Sequence, residues 1–295
     1  MEQNPSSPMM SSAAYRCAVA VNNKAVALLS RQCFEQAHAT FREALSVLQN
    51  QDPSGITTPG DGADHSKDLF FQVLHRAEKR VSNPESSSVF IPVRVLSYDN
   101  GTYGLRTIQH TLLKLSEPSE QQENGILSSG TVYSPVTIEI LDTEAVDDID
   151  HQVISAVTLH NLALSFLCKE KAMRELRPVT RKNAQDRTVE TSREKASRVF
   201  ILAHSLLSTY EPIGPPPTPT APNFHHRFAF LSMIILANLY KVLCESGKLA
   251  DAHHVMTQLH SWSSLVGQLP ETIIFTLLAN GGCGTDTPSK NAPAA

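Results

Sequence analysis

Three asparagines stand at matching places along the chain: Asn23 in Asn23-Lys24-Ala25-x-x-Leu28, Asn161 in Asn161-Leu162-Ala163-x-x-Phe166, and Asn238 in Asn238-Leu239-Tyr240-x-x-Leu243. A carboxamide carries donors and an acceptor together, so it can pair with a peptide group on both sides. Such a side chain can hold the main chain of a ligand or tie one helix to its neighbour. The other chemistry-bearing residues are less organised. Of twelve histidines, two pairs are adjacent, His225/His226 and His253/His254. Neighbours on a helix point about 100° apart, whereas helical metal sites use i, i+4 spacing, so neither pair predicts a metal centre. The five cysteines (Cys17, Cys33, Cys168, Cys244, Cys283) are widely spread without a CxxC, and four fall in apolar helical segments where Cys behaves as a small hydrophobe. Lys169 to Arg198 holds ten basic and five acidic residues and no Trp or Tyr, which reads as a solvated helix end and loop. A phosphate or acidic-partner patch is the alternative there. Gly281-Gly282-Cys283-Gly284 follows no strand and opens no helix. No nucleophile motif, P-loop or dinucleotide fingerprint is present, so the expectation is a non-enzyme with no cofactor.

The elements that would carry these residues follow from periodicity and breakers. A helix is expected over 12–30, with Gln32 and Cys33 at a turn and a second helix over 34–49, stopped by Asp52-Pro53-Ser54-Gly55. Residues 51–66 read as a loop. Helical spacing of Leu69, Phe70, Val73, Leu74, Ala77 and Val81 predicts a helix over 68–81. Two β-branched stretches, 89–96 and 132–141, carry Pro92 and Pro135, which suit edge strands. They are expected to pair as an antiparallel ribbon packed on the helices, with a turn at Asp99-Asn100-Gly101 and a helix over 105–115 between them. Five acidic residues in 142–150 precede a helix over 151–176 and suit its N-terminal dipole. A polar insertion (177–192) leads to a helix over 193–210. Six prolines in 211–223 predict an extended linker. Helices over 224–246 and 249–265 follow, with a turn at Gly247, and a short capping helix is expected over 271–278.

Small and aromatic residues recur in the second helix of each pair. Ala37, Phe41 and Ala44 share one face, and Ala196, Phe200 and Ala203 repeat their spacing; Ala252 and Met256 take the equivalent places in the last pair. In the first helices Ala25, Ala163 and Tyr240 mark the packing position. This pattern resembles the tetratricopeptide repeat, a helix–turn–helix unit that stacks on copies of itself. The resemblance covers roughly 110 residues in three units, about 13–50, 151–210 and 224–265. It implies a mainly α fold: one right-handed stack of helix pairs over 13–280, with a small β ribbon in the insertion 51–150, a proline-rich loop at 211–223 and disordered ends at 1–12 and 281–295. It also implies that the three asparagines bond between neighbouring helices. In the family the concave face is lined by first-helix residues, here Val19, Asn22, Val26 and Leu29; Val157, His160, Leu164 and Leu167; Ile234, Ala237, Lys241 and Cys244. That surface is mostly apolar. The resemblance therefore implies a groove for an apolar peptide or helix, supplied by another protein or by this chain's own insertion (67–141).

Composition is consistent with this reading. The chain has 295 residues, 41% of them hydrophobic, which is enough for a sizeable core. A formal net charge of −4 provides no general attraction to nucleic acid or anionic membrane. The first residues, MEQNPSSPMMSS, lack a basic segment followed by an apolar core and do not read as a secretory signal. The cysteine usage suits a reducing compartment, the cytoplasm or alternatively the nucleus. The expected function is a protein-interaction scaffold, with homo-oligomers allowed. The alternative is an RNA- or acidic-partner-binding helical repeat that uses residues 169–198.

Overall fold

The computed structural model describes residues 12–49, 62–82, 94–99, 103–108, 134–140, 151–175, 186–208 and 223–265. In chain order these form α1 (Ser12–Ser30), α2 (Phe34–Gln49), α3 (Gly62–Val81), β1 (Arg94–Asp99), β2 (Tyr103–Ile108), β3 (Val136–Ile140), α4 (His151–Glu175), α5 (Asp186–Ser208), α6 (Asn223–Glu245) and α7 (Leu249–Leu265). The fold is mainly α with a small antiparallel sheet.

Three helix hairpins, α1–α2, α4–α5 and α6–α7, build the body. Two of their turns have the same geometry. Gln32 (φ 65°) and Gly247 (φ 71°) both adopt the left-handed conformation just past a helix end. Cys33 N donates to Leu28 O and Gln32 N to Leu29 O; Lys248 N donates to Leu243 O and Gly247 N to Cys244 O. This paired bonding satisfies the last carbonyls of each helix and reverses the chain. Glycine adopts that φ without steric cost, whereas Gln32 sets its Cβ against the following carbonyl. Gln32→Gly is expected to raise the unfolding free energy by about 1 kcal/mol, read as a higher urea midpoint at unchanged slope.

The hairpins stack in order. α4 packs on α2 and, less extensively, on α1, and α6 packs on α5 and, less extensively, on α4. The small–Phe–small triplets make close approach possible: Ala37, Phe41, Ala44, Ala196, Phe200 and Ala203 are all fully buried, as are Ala25 and Ala163. In the third hairpin Ala252 is buried, while Tyr240 and Met256 are partly buried against the same core. Five partner elements (α1, α2, α5, α6 and β3) surround α4, which explains its unbroken buried run from Val153 to Ser165. Arg193 holds the second hairpin to the third: its Nε donates to Glu170 Oε1 at 3.0 Å and its Nη1 to the Glu245 carbonyl at 2.7 Å, at the end of α6.

α3 covers the outer side of the first hairpin, chiefly on α1. Its apolar stripe contributes Phe70, Val73 and Ala77 to the core. Arg80 grips Glu43 through both guanidinium nitrogens, at 2.8 and 2.9 Å, and Arg31 Nη1 donates to Val81 O at 2.6 Å, closing the end of α3. The helix begins at Gly62, earlier than the expected 68, so part of the loop expected at 51–66 is helical. Likewise α5 begins at Asp186, inside the polar stretch 177–192 that was expected to be an insertion.

The sheet corrects the sequence reading in two ways. It has three strands in the order β1-β2-β3, so the stretches expected to pair with each other are separated by a middle strand. That strand, β2, lies where a helix over 105–115 was expected to begin. An isolated helix of that length is marginal in water, whereas β2 gains a ladder on each side: Leu105 faces Tyr98 of β1 and Ile138 of β3. One extra residue on β1 between Arg94 and Ser97 shifts the register, a bulge on the outer strand. Leu105, Val136 and Ile138 are buried and join the sheet to the helical core. The stretches 1–11, 89–93, 109–133, 141–150, 209–222 and 266–295 lie outside the described residues, and with them the expected terminal disorder, proline-rich linker, acidic helix start and capping helix.

Candidate functional site

Two asparagines on adjacent first helices hold the edge of β3 by its main chain. Asn161 of α4 accepts from Val136 N through Oδ1 at 2.8 Å and donates through Nδ2 to Val136 O at 2.7 Å. Asn23 of α1 does the same to Ile138: Ile138 N donates to Oδ1 at 3.1 Å, and Nδ2 donates to Ile138 O at 2.7 Å. Val136 and Ile138 are two residues apart, so their peptide groups point the same way along the strand. Those groups face the asparagines, and the alternate residues Thr137 and Glu139 are left to bond β2. The two side-chain amides thus stand where a fourth strand would stand and satisfy an otherwise open edge.

The helices pre-set these amides. Asn161 Nδ2 also donates to Asn22 Oδ1 at 3.0 Å, linking α4 to α1. Asn22 Nδ2 donates to Asn23 Oδ1 at 3.2 Å and reaches Val136 O at 3.5 Å. Asn22, Asn161 and the peptide of Val136 therefore form one buried polar network, and each polar group in it is matched to another. The bond expected between neighbouring helices and the main-chain grip are made by the same side chain. Asn238, the third of the set, donates to Ile234 O in its own helix at 2.8 Å.

His160, next to Asn161, extends the grip by one step. Its Nε2 lies 3.3 Å from the Ser134 carbonyl, which fixes the proton on Nε2, and its ring tilts against Phe200 at a centroid distance of 5.6 Å. Nδ1 is buried without a partner among the described residues. Burial pushes the imidazole down to about 4, with the Ser134 carbonyl acting in the opposite direction. The folded state therefore rejects a proton that the unfolded chain accepts below about 6.5. Stability tied to neutral His160 is complete above that value and is lost as pH falls from 6.5 through 4. The full loss is about 3 kcal/mol. His38 and His204 are also shifted down, chiefly by burial, and act in the same direction. Urea midpoints measured from pH 7 to pH 4 should fall more steeply for the wild type than for His160→Gln.

Two of the residues expected to line a concave groove, Asn22 and His160, reach the segment that carries β3. Val19, Asn22, Val26 and Leu29 of α1 and Val157, His160, Leu164 and Leu167 of α4 are all buried, and β3 is packed on these two helices. Most of these residues are apolar, and β3, which comes from the insertion 51–150, packs on α1 and α4. Ile234 and Ala237 of α6 are buried too, and Lys241 and Cys244 are half-buried. Sequence reasoning placed Asn22 and His160 in the groove; for Asn23 and Asn161 it offered both a ligand's main chain and a neighbouring helix, and the repeat resemblance implied the helix. Their recurrence two residues ahead of Ala25 and Ala163 was the available signal. What they hold could not be read locally, because Asn23 and Ile138 are 115 residues apart.

Other candidates have structural partners. Cys17 and Cys168 are buried, and burial pushes their thiols up to about 11 and about 12, which removes the reactive thiolate. In the basic stretch Lys169 pairs with Glu35, Arg193 with Glu170 and Glu245, and Arg198 with Glu194. Among the described residues no group of three or more His, Cys, Asp or Glu side chains is placed to hold a metal ion, and no helix is long and apolar enough to cross a membrane. Comparison with family models, with curated proteins and with solved structures finds no match for this chain.

Proposed function

We propose that the chain is a non-catalytic protein-interaction scaffold of tetratricopeptide-like architecture, whose concave face accepts an apolar segment in extended form. The carrying observation is the double grip of Asn161 and Asn23 on the Val136 and Ile138 peptides. Within a helix the peptide groups are already paired, and no residue of it offers both its N–H and its C=O to one amide, so of the two ligand forms considered an extended peptide suits the face better. The stacking order supports the architecture: each new first helix lies against both helices of the hairpin before it, with the small–Phe–small faces of α2 and α5 buried. Burial of alternate apolar side chains would supply most of the binding energy, at roughly 25 cal/mol per Å² before ordering costs.

Panning a random peptide library on the intact chain at two salt concentrations tests this reading. Enrichment of apolar, β-branched peptides at both concentrations supports it. Failure to enrich any peptide over a helical control protein, both on the intact chain and on a Val136→Pro, Ile138→Pro variant whose β3 is loosened, refutes it. Enrichment only of acidic peptides that leave at high salt would place the activity on residues 169–198 instead.

A further inference from the structure

We propose that β3 is a resident ligand of the α1–α4 groove, and that an extended partner segment with alternating β-branched residues takes its place. This inference rests on the scaffold reading above and names its ligand class and its regulation. Three observations carry it.

First, His160, Asn161 and Asn23 reach this segment through its main chain: Ser134 O, Val136 N and O, and Ile138 N and O. Peptide groups are common to all sequences, so the polar half of the site does not require the resident strand's own side chains. Second, the apolar half asks only for two side chains two residues apart, as supplied by Val136 and Ile138, which are 0% and 2% exposed. Any segment of the form β-branched–x–β-branched presents the same shape. Third, the sheet is seated on the helices chiefly through this strand, while β1 and β2 make their main contacts within the sheet. The hairpin cores around Phe41 and Phe200 are built from helix against helix. The sheet can therefore leave as a unit without dismantling the stack.

The consequence is competition. The tethered strand acts at an effective concentration in the millimolar range, so a free peptide meets an occupied groove in the wild type. A partner succeeds when it covers more of the face than five residues do, or when the sheet is held elsewhere.

The test uses the full chain and a fluorescein-labelled synthetic peptide of residues 134–140 (SPVTIEI). Val136→Pro combined with Ile138→Pro removes both strand N–H donors and loosens the resident strand. The peptide is expected to bind this variant at least tenfold more tightly than the wild type. N-methylation at its two positions equivalent to Val136 and Ile138 is expected to weaken binding at least tenfold, and adding Asn161→Ala to the variant to abolish it. A variant that keeps its helical circular dichroism and its urea transition yet ignores the peptide overturns the proposal. So does equal binding of the N-methylated peptide. Should the proline variant fail to fold, hydrogen exchange on the wild type decides. The Val136 and Ile138 amides should then exchange at least tenfold faster than those of Phe41 and Phe200, and equal protection overturns the proposal. Failure here, with apolar library peptides still captured by the intact chain, removes the resident-ligand idea and leaves the scaffold reading on another surface.

Discussion

Replacing Asn161 by alanine is expected to cost about 4 kcal/mol of stability, more than any other single polar change around the groove. The side chain makes three buried hydrogen bonds, two with Val136 and one with Asn22. Alanine deletes all of them at once and leaves the Val136 N–H without a partner in an apolar surround. Each buried group stranded in this way costs about 1–3 kcal/mol. Asn23→Ala should cost about half as much, because that site is only part-buried and water can take over some of its role. Asn161→Asp separates hydrogen bonding from shape. The carboxylate still accepts from Val136 N, but it faces the Val136 carbonyl and the Asn22 oxygen with no proton to donate. Its stability should therefore recover partly at low pH, where a protonated carboxyl can donate to one of those oxygens, although His160 opposes that recovery. Urea unfolding provides the totals. Hydrogen exchange at Val136 locates the loss, and an unchanged Val136 rate in Asn161→Ala would show that the amide does not hold the strand.

Phe200→Ala should be of similar size, about 4 kcal/mol, for a different reason. Phe200 is fully buried between Ala196 and Ala203, and its ring lies against the ring of His160. The two alanines leave space that is filled by this one ring, so truncation opens a cavity that small neighbours cannot close. Ile201, the next residue, is 54% exposed on the outer side of α5, and Ile201→Ala should change stability by no more than about 0.5 kcal/mol. Adjacent residues of similar hydrophobicity thus differ about eightfold in effect, as the helical period requires. Phe41→Ala in the first hairpin should match Phe200→Ala. Met256, only partly buried at the equivalent place in the third hairpin, should lose less on truncation. A cost at Phe41 far from that at Phe200 would mean that the first two hairpins do not share one packing scheme.

Much of the helical body was legible because its signals are local. The bounds of α1, α2, α4, α6 and α7 follow within about two residues from apolar periodicity and from the breakers at 32–33, 52–55 and 247. The triplets Ala37-Phe41-Ala44 and Ala196-Phe200-Ala203 identified the buried faces, since close helix approach needs small residues beside a large one. The sheet was not legible in the same way. Tyr103 to Ile108 has no strong preference between helix and strand, and its state was settled by two ladders whose partners lie elsewhere in the chain. Register also cannot be read when the paired segments are separated by a long connection.

The groove shows the same division. That α1 and α4 present an apolar face with an amide two residues ahead of each packing alanine is written in the residues themselves. That the face is filled, by which segment, and through which atoms depends on bringing Asn23 and Ile138 together across 115 residues, and Asn161 and Asn22 across 139. The sequence by itself determined which helices form and which faces they bury, because those depend on spacing within a few turns. The tertiary structure alone decided that the insertion pairs as three strands and seats its edge on those amides. A hydrogen bond between distant groups leaves no periodic trace in either partner, and its energy exists only once the packed helices have excluded water from around it.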